Sequence, residues 1–144
     1  MSVDPEKVAE VMGGDEVLYE HVRSTADLQR VVAEGLPVGA LDRTVQYVAG
    51  SRRAAAVLRD RIVPRATRAR RTRLRLAESE RVERLARLMA LAEHVWEGAD
   101  DAREFLAAPH PMLDGRSPLE MAETELGARR VERLLMKLEY GLPV

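Results

Sequence analysis

The sequence predicts an all-α fold, and three observations favour it. The 144 residues are dominated by Ala, Leu, Arg, Glu and Val, with few of the Thr and Ile residues that favour strands. Apolar residues recur at three- and four-residue spacings in several segments. Capping residues and prolines stand where helices would begin, and glycines stand where they would end. Because 46% of the residues are hydrophobic and 33% are charged, we expect a folded chain rather than a disordered one.

Caps and helix breakers set the expected helices of the first half. Asp4 precedes Pro5, a pairing of N-cap and first helical residue that starts a helix, and Gly13 ends it. Ser24 opens a second capping signal. The helices predicted in this half lie over residues 4–12, 16–21, 24–34, 39–48, 52–62 and 64–71.

The longest helix is predicted over residues 79–96. Its apolar residues recur every three or four positions, which predicts one buried stripe. That stripe consists of Leu85, Leu88, Met89, Ala92, Val95 and Trp96. A shorter helix is expected over residues 99–107, after the break at Gly98.

The C-terminal end has the best-specified helix start in the chain. Two prolines within residues 109–111 require a loop, because proline lacks a backbone donor and restricts the residue before it. Residues 117–120 then form a capping box with proline at the first helical position. The last helix is expected to begin at Thr124 and to end at Gly141.

Several classes of function are disfavoured by what the sequence lacks. There is no Cys, which excludes a disulfide framework and thiolate chemistry. The histidines His21, His94 and His110 are scattered without metal-ligand spacing, and no nucleophile motif or phosphate-binding loop occurs. No apolar stretch is long enough to cross a bilayer, and no signal-peptide pattern is present. We therefore expect a cytoplasmic, non-enzymatic protein with no cofactor, metal site or membrane partner.

The net charge of −1 hides a strong segregation of charge along the chain. Residues 1–51 carry nine acidic and four basic residues, and residues 93–144 carry eleven acidic and six basic ones. Residues 52–92 between them carry thirteen basic and four acidic residues. An acidic, basic and acidic order predicts one surface that binds a polyanion, flanked by parts with another role.

The basic segment concentrates six arginines and no acid between Arg65 and Arg75. On a helix, four of them would form one continuous stripe: Arg65, Arg68, Arg71 and Arg75. Guanidinium groups suit phosphate oxygens and guanine edges, and two short helices joined by a tight turn are typical of a helix-turn-helix. The alternative is a solvated basic face that pairs with acidic segments of the chain. The helix over 52–62 favours DNA, and the expected DNA contacts are Arg65, Thr67, Arg68, Arg70, Arg71 and Arg73.

The same region resembles a known family of antitoxins. Residues 64–71, followed by 76–81, are similar to the second half of an Xre-type helix-turn-helix, and residues 84–88 and 92–96 continue the similarity. Residues 102–106, Pro109, 113–120, 124–128 and 139–141 then resemble the C-terminal toxin-binding domain of the Xre/MbcA/ParS family. The resemblance covers residues 24–144 and is more specific in the C-terminal half. Phe105 stands where the family often has Trp, a change that preserves an apolar role.

This resemblance implies a three-part organisation. Residues 1–23 would be an N-terminal helical extension, and residues 24–76 an Xre-like helix-turn-helix region that binds DNA. Residues 77–144 would be a small helical toxin-binding domain that includes the long linking helix. The residues expected to bind the toxin are Leu113, Arg116, Pro118, Lys137, Tyr140, Gly141, Leu142, Pro143 and Val144. Two alternatives stay open: Arg116 is either a toxin contact or a positioning residue, and residues 140–144 are either a toxin contact or a frayed helix end.

The resemblance also implies a function. The chain would be a type II antitoxin that neutralises a cognate RES-domain toxin, which consumes NAD or transfers its ADP-ribose, by binding near the NAD pocket. It would also repress its own operon by binding operator DNA, normally as a homodimer. The alternative function is a stand-alone helix-turn-helix repressor without a toxin partner.

Overall fold

A computed structural model describes residues 3–142, and the all-α fold is confirmed. Within these residues the helices are, in chain order, α1 Pro5–Val11, α2 Gly14–Leu18, α3 Thr25–Glu34, α4 Val38–Ala49, α5 Arg52–Ile62, α6 Arg65–Arg68, α7 Leu76–Trp96, α8 Ala99–Ala107, α9 Pro118–Met121 and α10 Glu125–Glu139. One turn of 3-10 helix, Pro111–Leu113, lies between α8 and α9. None of the helices in the described residues is long and apolar enough to cross a membrane.

The capping residues read from the sequence act as caps in the structure. Asp4 accepts a hydrogen bond from the Glu6 backbone nitrogen at 3.0 Å, with Pro5 at the first helical position of α1. Ser24 accepts one from the Asp27 backbone nitrogen at 3.1 Å and so begins α3. These local contacts satisfy amide groups that the helix itself leaves unpaired, which is why the helix starts could be predicted.

Helix α7 is the centre of the molecule and is buried on nearly all sides. Its fully or nearly buried residues are Ser79, Val82, Leu85, Ala86, Leu88, Met89, Ala90, Leu91 and Ala92. The buried surface of α7 is therefore wider than the single stripe that the sequence predicted, because helices pack against α7 from several directions. Trp96, which was expected in the stripe, is 40% exposed and contacts Phe105, with ring centroids 5.8 Å apart.

One continuous hydrophobic core surrounds α7. Helices α1, α3, α4 and α5 pack against it from the N-terminal half, and α8 and α10 pack against it from the C-terminal half. Buried side chains from Val8 to Leu135 belong to this core. The division into an extension, a DNA-binding region and a toxin-binding domain remains a proposal about roles, since all three parts share α7.

A polar junction ties the first helices to α7 and α8. The carboxylate of Glu93 on α7 accepts hydrogen bonds from Lys7 Nζ, at 2.8 Å, and from the Tyr47 hydroxyl. Arg103 of α8 donates to the Tyr47 carbonyl at 2.7 Å and lies over the Tyr47 ring. Burial alone would raise the pKa of Glu93, but the hydrogen bonds from Lys7 and Tyr47 outweigh it and hold that pKa below its ordinary value.

A tight corner joins α9 to α10. Ser117 accepts a hydrogen bond from the Glu120 backbone nitrogen at 3.2 Å, and Glu120 accepts one in return from the Ser117 backbone nitrogen at 3.1 Å, which completes the predicted capping box. Thr124 then caps α10 by accepting from the Gly127 backbone nitrogen at 3.0 Å. A Cβ atom at Gly127 would lie only 1.9 Å from the Met121 carbonyl oxygen, so the corner requires glycine there.

We predict that Gly127→Ala lowers the free energy of unfolding by about 1–3 kcal/mol, because the added methyl group must push α10 away from the end of α9. Urea denaturation followed by circular dichroism measures the change. Gly98→Ala is the matched control, since no heavy atom lies within 4 Å of a Cβ built at that position. Equal stability of the two variants would contradict the packing role of Gly127.

Candidate binding surfaces

In the segment expected to bind DNA, α5 is followed by a short turn and by α6, a single turn of helix. Helix α5 has the predicted bounds, and the turn Val63–Pro64 separates it from α6. Helix α6 ends at Arg68, so the helix predicted over residues 64–71 is wrong in its length. The continuous helical stripe expected through Arg71 and Arg75 does not form.

The physical reason lies in the backbone partners of the residues after α6. The Leu74 nitrogen donates to the Leu36 carbonyl at 2.7 Å, and the Val38 nitrogen donates to the Thr72 carbonyl at 3.0 Å. Residues 72–74 are therefore extended and antiparallel to the turn between α3 and α4. A contact across more than thirty residues of chain overrides the local helical pattern here.

Four of the predicted DNA contacts form hydrogen bonds within the chain, although Arg70 makes only one bond, of 3.3 Å, to the Ala66 carbonyl one helical turn earlier. Arg68 donates to the Asp60 carboxylate at 2.7 Å and to the Val63 carbonyl at 2.8 Å. Arg71 forms a two-bond pair with Glu78, with both distances 2.8 Å. Arg73 donates to a carbonyl of the turn after α3 at 2.8 Å. These guanidinium groups hold the segment in place, so any DNA contact that they make competes with an existing bond.

The pair between Arg71 and Glu78 also defines the start of α7. Glu78 accepts from the Arg75 backbone nitrogen at 2.8 Å, which caps the helix at Leu76 rather than at the predicted residue 79. The hydrogen bonds from Arg71 hold the pKa of Glu78 below its ordinary value, against the opposing effect of burial. One carboxylate thus fixes both the arginine segment and the first turn of α7.

The other arginines of the segment are available to a partner. Arg65 and Arg70 are exposed, and no carboxylate of residues 3–142 lies within 4.0 Å of either guanidinium group. Thr67 is half-buried beside them. Arg52 and Arg53, at the start of α5, are exposed in the same way and were not among the predicted contacts. The sequence signal that could have identified Arg52 and Arg53 is their position as two adjacent arginines directly after the serine cap of α5.

The residues expected to bind a toxin differ widely in exposure. Leu113 and Pro118 are buried, so in this conformation they pack beneath the surface rather than form it. Arg116 is exposed on the loop before α9, where its Nε atom lies 3.9 Å from a Glu120 carboxylate oxygen. For the two buried residues, a direct toxin contact stays a prediction, and their visible role is to support the loop that presents Arg116.

The end of α10 is a defined helix stop rather than a frayed one. Gly141 has a φ of +67°, its nitrogen donates to the Leu138 carbonyl, and the Leu142 nitrogen donates to the Lys137 carbonyl at 2.8 Å. This is the Schellman arrangement, which closes a helix with a left-handed residue. Tyr140 and Leu142 stay 62% and 53% exposed. Pro143 and Val144, also predicted contacts, lie outside the described residues.

The arginine segment and the C-terminal end of α10 lie at opposite ends of α7, whereas α9, which follows Arg116, lies beside α5. The pair between Arg71 and Glu78 attaches the arginine segment to the first turn of this helix. At its other end, His94 Nε2 lies 3.2 Å from a carboxylate oxygen of Glu139, the last residue of α10. A helix of 21 residues is about 30 Å long, so one partner at each end would not occupy the same space.

An apolar cleft of about 630 Å³ lies between α1, α3, α7 and α10. Apolar side chains line most of it, and Glu83, Arg87 and Glu132 lie together along one side. Burial raises the pKa of Glu83 above its ordinary value. None of the predicted DNA-binding or toxin-binding residues lines this cleft. In the part of the chain that the structure describes, no group of three or more His, Asp or Glu side chains is arranged to hold a metal ion.

Comparison with known proteins bears on the C-terminal surface. Residues 91–141 match the family described as the antitoxin Xre/MbcA/ParS C-terminal toxin-binding domain. A protein of Pseudomonas putida KT2440 named Antitoxin Xre is 35% identical over 89 residues. That similarity covers 59% of this chain and 56% of the relative, so the chain spans little more than half the length of the protein that it matches.

We predict that Glu78→Gln destabilises the protein near neutral pH and has little effect in acid. The pKa of Glu78 is lower in the folded protein than in the unfolded chain. The Glu78 carboxylate therefore stabilises the fold at any pH above the pKa of the unfolded chain, and this stabilisation is lost as the pH falls through the pKa of the folded protein. Urea denaturation at about pH 7 and about pH 2.5 compares the two conditions. Glu80→Gln, an exposed acid two residues away, is the control. A difference between Glu78→Gln and wild type that does not shrink in acid would disprove this account.

Proposed function

We propose that this chain is a non-enzymatic antitoxin of the Xre/MbcA/ParS family that neutralises a RES-domain toxin and represses its own operon. The match of residues 91–141 to a toxin-binding domain carries the proposal. The RES identity of the toxin, its action on NAD and the repression of the operon are inferred from the resemblance of residues 24–144 to this family.

The exposed end of α10 supports a neutralising contact near the toxin's NAD pocket. Tyr140 and Leu142 project from a closed helix end, and burying such aromatic and aliphatic side chains stabilises protein interfaces. The rigid Schellman stop reduces the entropy lost when this end docks. We propose that residues 140–144 restrict access to the pocket, which explains how a small helical domain inhibits an enzyme without chemistry of its own.

Exposed arginines at the other end of α7 support operator binding. Arg65 and Arg70 lie on and just after α6, and neither is paired with a carboxylate of residues 3–142. Arginine neutralises phosphates and makes two-bond contacts with guanine. Helix-turn-helix proteins normally bind operators as symmetric dimers, so a homodimer is part of this proposal.

Replacing Arg65 and Arg70 by Ala is expected to weaken operator binding and to leave folding and toxin neutralisation intact. Loss of two phosphate contacts reduces the slope of log affinity against log salt by about 2. Fluorescence anisotropy with a fragment of the chain's own promoter, at several salt concentrations, measures both quantities. Light scattering of the complex gives the number of protein copies bound.

Arg71→Ala is the informative companion variant, because it removes the partner of Glu78 and should lower thermal stability. Unchanged DNA affinity in the Arg65 and Arg70 variant would contradict the assignment of this surface. A monomeric protein on a symmetric operator would contradict the dimer.

Deletion of residues 142–144 is expected to weaken toxin neutralisation while DNA binding is unchanged, because the end of α10 and the arginine segment lie at opposite ends of α7. The measurement is rescue of growth when the truncated chain is co-expressed with the RES-domain protein encoded beside it, together with the affinity of the purified pair. Promoter binding by the same variant is the internal control. Full rescue and unchanged affinity would show that the C-terminal end does not contact the toxin.

The stand-alone repressor is distinguished by the same measurements. A repressor without a toxin partner would bind its promoter, form no complex with the neighbouring gene product and rescue nothing. Helix α10, with its well-defined caps and closed end, favours the antitoxin, since operator binding alone does not require it.

A further inference from the structure

Helix α10 carries its charges on two separate edges. The acidic edge consists of Glu125, Glu132 and Glu139, spaced seven residues apart. The basic edge consists of Arg129, Arg133 and Lys137, spaced four residues apart. The two edges are neighbours, since Arg129 follows Glu125 by four residues, and the basic edge lies opposite the buried residues Val131, Leu134 and Leu135. Because a helix repeats every 3.6 residues, both spacings keep their residues on one side of the helix.

The acidic edge is used inside the molecule. Glu125 lies 3.1 Å from Arg84 and 3.2 Å from Arg87, and Glu132 lies 3.4 Å from Arg87. Burial would raise the pKa of Glu125, but the hydrogen bond from Arg84 and the charge of Arg87 outweigh it and lower that pKa. These pairs and the buried side fix the rotation of α10 against α7, which leaves the basic edge on the side that faces away from α7.

The basic edge has no counter-charges of its own. Within residues 3–142, no carboxylate lies within 4.0 Å of Arg129, Arg133 or Lys137. The neighbouring Arg130 differs, because it donates to Asp114 at 2.7 Å and to the Met112 carbonyl at 3.1 Å. The exposed guanidinium groups of Arg129 and Arg133 are therefore available to opposite charges on another molecule.

Apolar side chains stand at both ends of the basic edge. Leu126 is 72% exposed at the start of α10, and Tyr140 is exposed at its end. From one to the other is about 21 Å of helix, the length of a continuous docking face. Exposed aromatic and aliphatic residues beside arginine are typical of protein interfaces, whereas DNA interfaces are more polar. This composition favours a protein partner over nucleic acid.

We propose that this outer face of α10, Leu126, Arg129, Arg133, Lys137 and Tyr140, docks on an acidic surface of the toxin. The inference rests on the proposed antitoxin function and adds the chemistry of the partner: a surface rich in Asp and Glu, with apolar depressions about 21 Å apart. The face lies within residues 91–141, the segment that matches a toxin-binding domain. Its charges would accelerate association with the toxin, and Leu126 and Tyr140 would slow dissociation.

The test uses the full-length chain and the co-expressed RES-domain protein. Arg129→Glu with Arg133→Glu is expected to reduce affinity at least about tenfold, mainly through slower association that added salt no longer slows. Arg129→Lys with Arg133→Lys should remain within about threefold of wild type, because the charge is kept. Arg129→Ala with Arg133→Ala gives a second test if the glutamate variant folds poorly. Surface plasmon resonance at two salt concentrations gives both rates, and circular dichroism checks folding.

The matched control changes the same charge elsewhere: Arg23→Glu with Arg43→Glu, both exposed and both without a carboxylate within 4.0 Å among residues 3–142. Unchanged toxin affinity in the Arg129 and Arg133 variants would overturn the inference and leave the antitoxin proposal standing. If the Arg129 and Arg133 variants lose promoter binding but keep toxin affinity, the face binds DNA instead. If they lose self-association but keep toxin affinity, the face binds a second copy of the chain. Either outcome would also overturn the inference. If the wild-type chain does not bind the RES-domain protein, the proposed function itself fails.

Discussion

The burial of α7 is the constraint on which the rest of the structure depends. This helix contributes buried side chains around most of its circumference, and helices from both halves of the chain pack on it. It therefore cannot move relative to one half without disturbing its packing against the other. A rigid helix about 30 Å long sets the distance between the arginine segment and the end of α10. The core itself therefore holds the arginine segment and the end of α10 apart.

Charge pairs around α7 decide how the other elements are oriented. Glu78 fixes the arginine segment, Glu93 joins α1 and α4, and Arg84 and Arg87 bind the acidic edge of α10. Each pair is partly shielded from solvent, where charge-assisted hydrogen bonds are stronger than at a fully exposed site. The apolar core supplies most of the stability, whereas these pairs select one rotation for each surrounding helix and thereby determine which side chains remain outside.

Arginine has two distinct roles in this chain, and residue type does not separate them. Arg68, Arg71 and Arg73 donate to a carboxylate or to a carbonyl of another element, while Arg65 and Arg70 are exposed and Arg70 donates only to the nearby Ala66 carbonyl. A basic cluster in a sequence thus contains both arginines that stabilise the fold and arginines that are available to bind a partner. The same division occurs in α10, where Arg130 holds a loop and the arginines beside it face solvent.

The sequence by itself determined most of the helices and their caps, because these depend on contacts within four residues: α5 and α8 have the predicted bounds, and Ser24, Ser117 and Thr124 cap as expected. The motifs in residues 102–141 also carried the resemblance to a toxin-binding domain, which the match of residues 91–141 supports. Only the tertiary structure decided the fate of the arginine cluster and the exposure of each site residue. Residues 72–74 pair with a turn more than thirty residues earlier, and the rotation of α10 follows from ion pairs with α7. The local sequence pattern carries no information about such distant partners. It therefore predicted one helical stripe of arginines, whereas in the structure Arg68, Arg71 and Arg73 form contacts that stabilise the fold.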